Sequence, residues 1–427
     1  MGGNPAKPVV VLGFGAAGTS AVMALREAGY EGAITVVTDV DPMPYSPVLT
    51  SYYAGGRICR EQCFVWADLE PIRMVDEMFS RHKAVAIDIE AHEVTLDDGC
   101  RIGYSKLVIA TGAHPVAPGF PPIDCYNPLV LRTMKDAERL RRALSSPCCR
   151  RVLVSGTSMV GLKALEACLD QGVQATLLGR SSHIMRNAAH PLVAARFEQL
   201  LAERGVKLRL SQTVSDATYN RHSDDLLIAF CAGASPGAEG ASAVDEAERF
   251  DEVLLAQGVK PNLDFSCDEL ASDRGLVVDQ FMRTNSPDVY AVGDVAAALD
   301  VSTGEKRIIG LWQNAVQQGR CAGRSIAAEL AGRVPRYPFP GSLPCNTIHV
   351  RDILFASIGS LEEGKGRYCE LHEASGVLRA FVYEENDSGR QLVGVNVLSV
   401  VAAEGGSDLL DCEIGKLRRT ILNSYVR

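Results

Sequence analysis

Two glycine-rich turns with phosphate-binding spacing are the residues of this 427-residue sequence with the most specific chemistry. The first is Gly13-Phe-Gly15-Ala16-Ala17-Gly18, directly after the apolar, β-branched run Val9-Val-Val-Leu12. In such a turn Gly13 permits the tight bend and Gly15 lets the backbone approach a pyrophosphate. Gly18 lets the following helix pack close to the strand. The helix start offers free N–H groups and the positive end of its dipole. Asp39, after the apolar run Ile34-Thr-Val-Val37, is placed to accept hydrogen bonds from a ribose. The elements that must hold these residues are also legible. Val9–Leu12 reads as a buried parallel strand, and Ala21, Val22, Leu25 and Ala28 share one face of a helix ending at Gly29.

The pattern recurs downstream. Arg151-Val-Leu-Val154 reads as a strand, Gly156-Thr-Ser158-Met-Val-Gly161 as the turn, the residues up to about Gly172 as a helix, and Ala175–Leu178 as the second strand. Two such units imply two dinucleotides. The second copy departs from the first in three ways. Ser158 replaces the middle glycine, Lys163 places a cation early in the helix against the dipole, and Gly179 stands where the ribose acid is expected. Arg180, next to it, suits a 2′-phosphate and hence NADPH. Lys163 has two readings. It stabilises an anionic cofactor or a phosphate by Coulomb attraction, or it pairs with Glu166 at i,i+3 for a few tenths of a kcal/mol.

Three further strand-and-turn segments follow the same grammar: Tyr104–Ala113 through Thr111-Gly112, Glu252–Pro261 through Gly258, and Ser286–Val295 through Gly293-Asp294. Lys and Arg total 43 against 52 Asp and Glu, a formal net charge of −9, which opposes non-specific binding to nucleic acid or anionic lipid. With 47% apolar and 22% charged residues the chain has the composition of a folded globular protein. It contains no run of the ~18 apolar residues that a membrane span requires, and its opening residues lack the pattern of a secretory signal. A cytoplasmic protein is expected. The 13 cysteines contain no Cys-x-x-Cys pair, so reduced thiols are expected and no metal site.

Taken in order, these motifs resemble the two-dinucleotide-binding flavoproteins of the pyridine nucleotide–disulfide oxidoreductase class. The likeness is greatest to the NADH oxidase, ferredoxin-reductase-like and nitrite-reductase-like branches, and it runs from Val9 to about Gly332. The resemblance implies an α/β fold of two Rossmann-like domains, the second inserted in the first, with a small C-terminal α+β interface domain. Its boundaries are 1–120 and 262–332 for the FAD domain, 121–261 for the NAD(P) domain and 333–427 for the interface domain. It assigns Gly13, Gly15, Ala16, Ala17, Gly18, Asp39 and Val85 to the FAD site, with Ala110, Thr111 and Gly112 closing over the diphosphate. Gly293 and Asp294 hold the ribitol, and Trp312 lies beside the flavin. Gly156, Ser158, Gly161 and Arg180 fall to NAD(P)H, and Lys163 and Trp312 are the candidate catalytic residues.

Departures from the family pattern shape the expected function. Val48 stands where oxidases keep a cysteine, and the Cys-x-x-x-x-Cys of dithiol reductases is absent; Cys59 and Cys63 lie downstream at another spacing. None of the eight histidines falls in a motif, His349 being only a weak counterpart of the family's C-terminal histidine. The expectation is an FAD-dependent NAD(P)H oxidoreductase without an active-site thiol, passing electrons to a protein carrier or partner subunit. Two other readings stand beside it: a flavin subunit of a larger complex with a degenerate nicotinamide site, and a thiol-independent NAD(P)H oxidase or small-molecule reductase. A homodimer through the C-terminal domain is the expected assembly. The basic residues between Arg132 and Arg151 read either as a docking face for an acidic partner or as a solvated helix.

Overall fold

Val9–Leu12 is fully buried, as a β-branched strand inside a covered parallel sheet must be. It lies at the centre of five parallel strands in the order Val289–Ala291, Lys106–Ile109, Val9–Leu12, Ile34–Thr38, Glu77–Ser80. The structure, a computed structural model, describes residues 7–40, 43–66, 69–118, 120–232, 246–267, 269–272, 274–362, 364, 366–386, 389–400 and 406–425. The segment Cys231–Ser242, whose small residues predict an exposed loop, lies, beyond Ala232, outside the described residues, as does the stretch Met1–Ala6.

Two units emerge from the chain's internal contacts. The first takes residues 1–48, 60–114 and 260–342, and the second residues 49–59, 115–259 and 343–427. In the first, the helix Ala16–Glu27 packs on the long helix Trp312–Leu330. That approach requires glycine on the long helix. A Cβ on Gly319 would stand 2.2 Å from the Ala17 carbonyl oxygen, and one on Gly323 would stand 2.4 Å from that of Ala21. An antiparallel sheet of Ala84–Asp88, Glu93–Leu96 and Arg101–Gly103 completes the unit's main elements.

The second unit repeats the parallel arrangement. Four strands run in the order Lys207–Leu210, Gln174–Gly179, Arg151–Ser155, Glu252–Leu255, with the helix Met159–Asp170 following the central strand. Ahead of them the helix Met134–Leu144 starts at a capping box in which Thr133 and Asp136 satisfy each other's backbone N–H groups. A hairpin of Gln212–Asn220 and Asp225–Ala232 joins Glu246–Phe250. The C-terminal residues form five antiparallel strands, Cys345–Val350, Ile353–Gly359, Gly389–Val400, Val377–Asn386 and Arg367–Ala374, with the helix Gly406–Tyr425. Their inner residues share a core with the parallel sheet, where Phe197 stacks on Phe355 at 5.7 Å. Two Rossmann-like α/β sheets and a C-terminal α+β portion are thus present in one chain.

Candidate functional site

In the first unit four strand ends converge: Gly13 after Leu12, Asp39 after Thr38, Ala110 after Ile109, and Gly293 two residues past Ala291. This is the carboxyl edge of a parallel sheet, where open α/β sheets bind their ligands. The first glycine turn has the expected asymmetry. A Cβ on Gly13 would meet the Ala110 carbonyl oxygen at 2.3 Å, and one on Gly18 would meet the Gly13 carbonyl oxygen at 2.0 Å. At Gly15 nothing lies within 4 Å. The turn is closed on its inner sides and open only where a diphosphate would approach. Gly15 precedes the helix, so its first-turn N–H groups face that space.

Around this cradle, Asp39 is exposed beyond its strand, 4.0 Å from Lys83, and Val85 is 41% exposed on the neighbouring sheet. Ala16 is half-buried and Ala17 is buried under Gly293, whose φ of +79° and close approach (an added Cβ 3.0 Å from the Ala17 Cβ) require glycine. Gly293 also donates its N–H to Gln318 Oε1 at 2.7 Å. Asp294 is half-buried in the turn Gly293–Val295, and a Cβ on Gly310 would lie 3.4 Å from its Oδ1. Trp312 begins the long helix two residues later and packs against Trp66 with ring centroids 5.9 Å apart. These two are the chain's only tryptophans.

Sequence reasoning missed Asn262, Gln318 and Trp66. Asn262 locks the Thr111-Gly112 turn. It receives Thr111 Oγ1 on its carbonyl oxygen, donates Nδ2 to the Thr111 carbonyl, both at 2.8 Å, and donates its N–H to the Gly112 carbonyl. The available signal was its place just after Pro261, at the end of a strand-and-turn segment. The cradle fits FAD, with neutral small residues at the diphosphate and carboxylates at the two positions that would face hydroxyls.

In the second unit the corresponding glycines are closed even more tightly. A Cβ on Gly156 would meet the Ala256 carbonyl oxygen at 2.1 Å, and one on Gly161 the Gly156 carbonyl oxygen at 1.9 Å. Ser158 keeps the extended N-cap conformation of a phosphate turn, but its hydroxyl turns to the Ala256 carbonyl at 3.4 Å. A cleft of about 360 Å³ opens over this turn. Arg180 and Arg186 both line it and both are exposed, with Ser181 between them in sequence. Arg186 was not foreseen. Gly179 has a packing reason: an added Cβ would stand 2.5 Å from Thr157 Cγ2, so Thr157 fills the space a ribose-binding acid would need. The cleft fits a dinucleotide carrying an extra phosphate.

Lys163 does not stand free at the start of its helix. Its side chain is 14% exposed. It pairs with Glu166, donates to the His349 carbonyl at 3.2 Å and sits 3.9 Å over the Tyr52 ring. Glu166, 3% exposed, also takes Arg57 at 2.8 Å and the Arg351 N–H at 2.7 Å, while Arg57 reaches Asp170 at 2.6 Å. Two cations and two carboxylates therefore balance within the second unit. Lys163→Glu would leave three carboxylates to one arginine. It is expected to cost about 3 kcal/mol, read as a lower melting temperature. Lys163→Met keeps two partners for Glu166 and should cost less; equal melting of both variants and the parent would refute this network.

None of the 13 cysteines forms a disulfide, and Val48, which the resemblance sets at the position of the family thiol, is 56% exposed. No helix among the described residues is long and apolar enough to cross a membrane.

Comparison with known proteins agrees with this geometry. The family model described as pyridine nucleotide-disulphide oxidoreductase matches residues 7–319. The epsilon subunit of NADH-dependent phenylglyoxylate dehydrogenase from Aromatoleum evansii is 28% identical over 398 residues, covering 91% of this chain and 88% of that one. Rhodocoxin reductase from Rhodococcus erythropolis is 30% identical over 336 residues, covering 77% and 73%. Among solved structures, the covalent putidaredoxin reductase–putidaredoxin complex matches with a TM-score of 0.80 at 24% identity, over 99% of this chain and 94% of that one. With two nucleotide cradles and a match of this extent, the chain belongs to the pyridine nucleotide-disulphide oxidoreductase family, as an FAD-dependent NAD(P)H oxidoreductase.

Proposed function

We propose that this chain draws electrons from NADPH through FAD and delivers them to a protein carrier without using a cysteine. The observation that carries this reading is the second cleft. Its first and last glycines keep their closed geometry and two exposed arginines line it, which is what a site for a 2′-phosphorylated dinucleotide needs. Gly156, Ser158, Gly161 and Arg180 hold that nucleotide, with Arg186 beside them. The converging strand ends of residues 13–18, 39, 110–112 and 293–294, with Val85 at the rim, hold FAD, and Trp312 lines its flavin end. When bound, FAD supplies the redox chemistry, accepting a hydride and releasing electrons singly or in pairs. The chain's own residues bind, orient and shield. Lys163 enters as a positioning residue, holding Tyr52 through its cation over the ring. The exposed Val48 in place of a thiol supports a thiol-free route. In the same reading residues 1–120 with 262–332 form the FAD domain, 121–261 the NAD(P) domain and 333–427 an interface domain that pairs two copies of the chain in the cytoplasm.

A second reading has its own support. The relative covering 91% of this chain is a subunit of an NADH-dependent dehydrogenase, so the acceptor or donor is then a fixed partner subunit. Anaerobic titration of the yellow holoprotein with NADPH and then NADH decides. Bleaching of the flavin band at lower NADPH than NADH is the expected result. Bleaching by NADH alone would move the donor to NADH, and bleaching by neither would sink the nicotinamide reading and leave electrons entering from a partner subunit.

A further inference from the structure

In the sheet beneath the second cleft the strand Arg151–Ser155, which leads into the glycine turn, lies between Gln174–Gly179 and Glu252–Leu255. Arg180 follows the first of these neighbours, and Ala256 and Gln257 follow the second; all three residues line the cleft. Arg180 and Arg186 are the only charged residues among those that line it. Gln257 stands against the turn itself, since a Cβ on Gly156 would lie 3.0 Å from the Gln257 nitrogen. The strand order therefore sets a cation on one side of the turn and a neutral amide on the other.

That amide is only half satisfied. Gln257 Nε2 donates to the Ser155 hydroxyl at 2.8 Å, and Ser155 is buried in the sheet, so one end of the amide is fixed. Gln257 Oε1 is buried and has no hydrogen-bond partner among the described residues. An unpaired buried acceptor is costly, and folded proteins pair nearly all of theirs. Because Gln257 lines a cleft of about 360 Å³, the molecule held there is the available source of a partner. An acceptor oxygen needs a donor, and ionised phosphate oxygens donate nothing. A sugar hydroxyl donates to an amide oxygen and accepts from an amide nitrogen, so it suits the amide whichever way round it lies.

We infer that Gln257, anchored by Ser155, hydrogen-bonds a hydroxyl of the ribose that carries the nicotinamide. The inference rests on the proposed nucleotide site for there being a dinucleotide in this cleft at all. With the 2′-phosphate on the arginines and the pyrophosphate over the glycine turn, the strand order leaves the nicotinamide half on the side of Glu252–Leu255, where Gln257 stands. A bond to that sugar orients the ring that gives up the hydride, and orientation is what a neutral contact supplies best. Gln257 touches the substrate; Ser155 is a positioning residue that acts through it. The contacted ribose is common to NADPH and NADH, so Gln257 adds affinity for both, and the choice between them stays with the arginines.

The test is calorimetric titration of oxidised holoprotein with two probes. One is NADP+. The other is adenosine 2′,5′-bisphosphate, which keeps the phosphorylated adenosine half and lacks the nicotinamide ribose. Gln257→Leu is expected to bind NADP+ about 10-fold more weakly and the bisphosphate as tightly as the parent does. The unchanged bisphosphate also reports an intact fold. Ser155→Ala should show a smaller loss confined to NADP+. The double variant should bind no more weakly than Gln257→Leu, because both changes act through one amide. NADP+ bound equally by parent and Gln257→Leu, equal losses with both probes, or additive losses in the double variant would overturn the inference. A parent that binds NAD+ and not NADP+ would overturn the 2′-phosphate reading alone, and Gln257 is then judged by the same comparison between NAD+ and ADP. A parent that binds neither dinucleotide would overturn both.

Discussion

Asp294→Ala is expected to purify as colourless apoprotein. Its carboxylate sits half-buried at the end of the strand Val289–Ala291, in the turn whose geometry is held by Gly293 and by Gln318. Charge-assisted hydrogen bonds to two hydroxyls contribute about 3 kcal/mol together. Losing them weakens FAD by roughly 100-fold. The ratio of flavin to protein absorbance after purification measures the effect directly. Asp294→Asn keeps an acceptor oxygen and should retain part of the flavin. Full flavin in the alanine variant would remove Asp294 from the ribitol role and leave the glycine turn as the main source of affinity.

Nucleotide preference gives the second large effect. Replacing Arg180 and Arg186 by glutamate should raise the KM for NADPH by about 150-fold, the equivalent of ~3 kcal/mol. The KM for NADH should change little, because the 2′-hydroxyl carries no charge to repel. The split between the two donors is the informative quantity: equal losses with both would mean general damage, and no loss with either would mean that the phosphate lies elsewhere. Gly179→Asp alone is not the route to NADH, since its Cβ would stand 2.5 Å from Thr157 Cγ2. The aspartate needs Thr157→Gly as a companion before it can reach a ribose.

What the sequence by itself determined about this protein is local. Val9–Leu12, Gly13 to Gly18 and Asp39 are neighbours in the chain, and β-strand, turn and helix follow from residue type and periodicity over about 30 residues. The second copy was legible for the same reason, down to Arg180 beside Gly179. The motifs in succession made the family recognisable without any contact being known.

Only the tertiary structure decided the rest, because it depends on residues far apart in the chain. Asn262 locks a turn at Thr111 from the far end of a different strand-and-turn segment, and Trp66 meets Trp312 across most of the chain. Arg186 joins Arg180 at the cleft because the turn after Gly179 folds back over it. Lys163 shows the limit most directly. Its spacing to Glu166 was readable, but its worth was not. Spacing alone describes an exposed pair of a few tenths of a kcal/mol, whereas Tyr52, Arg57, His349 and Arg351 converge to bury it. Burial and partner count set the strength of a charge interaction, and neither is a property of one stretch of sequence.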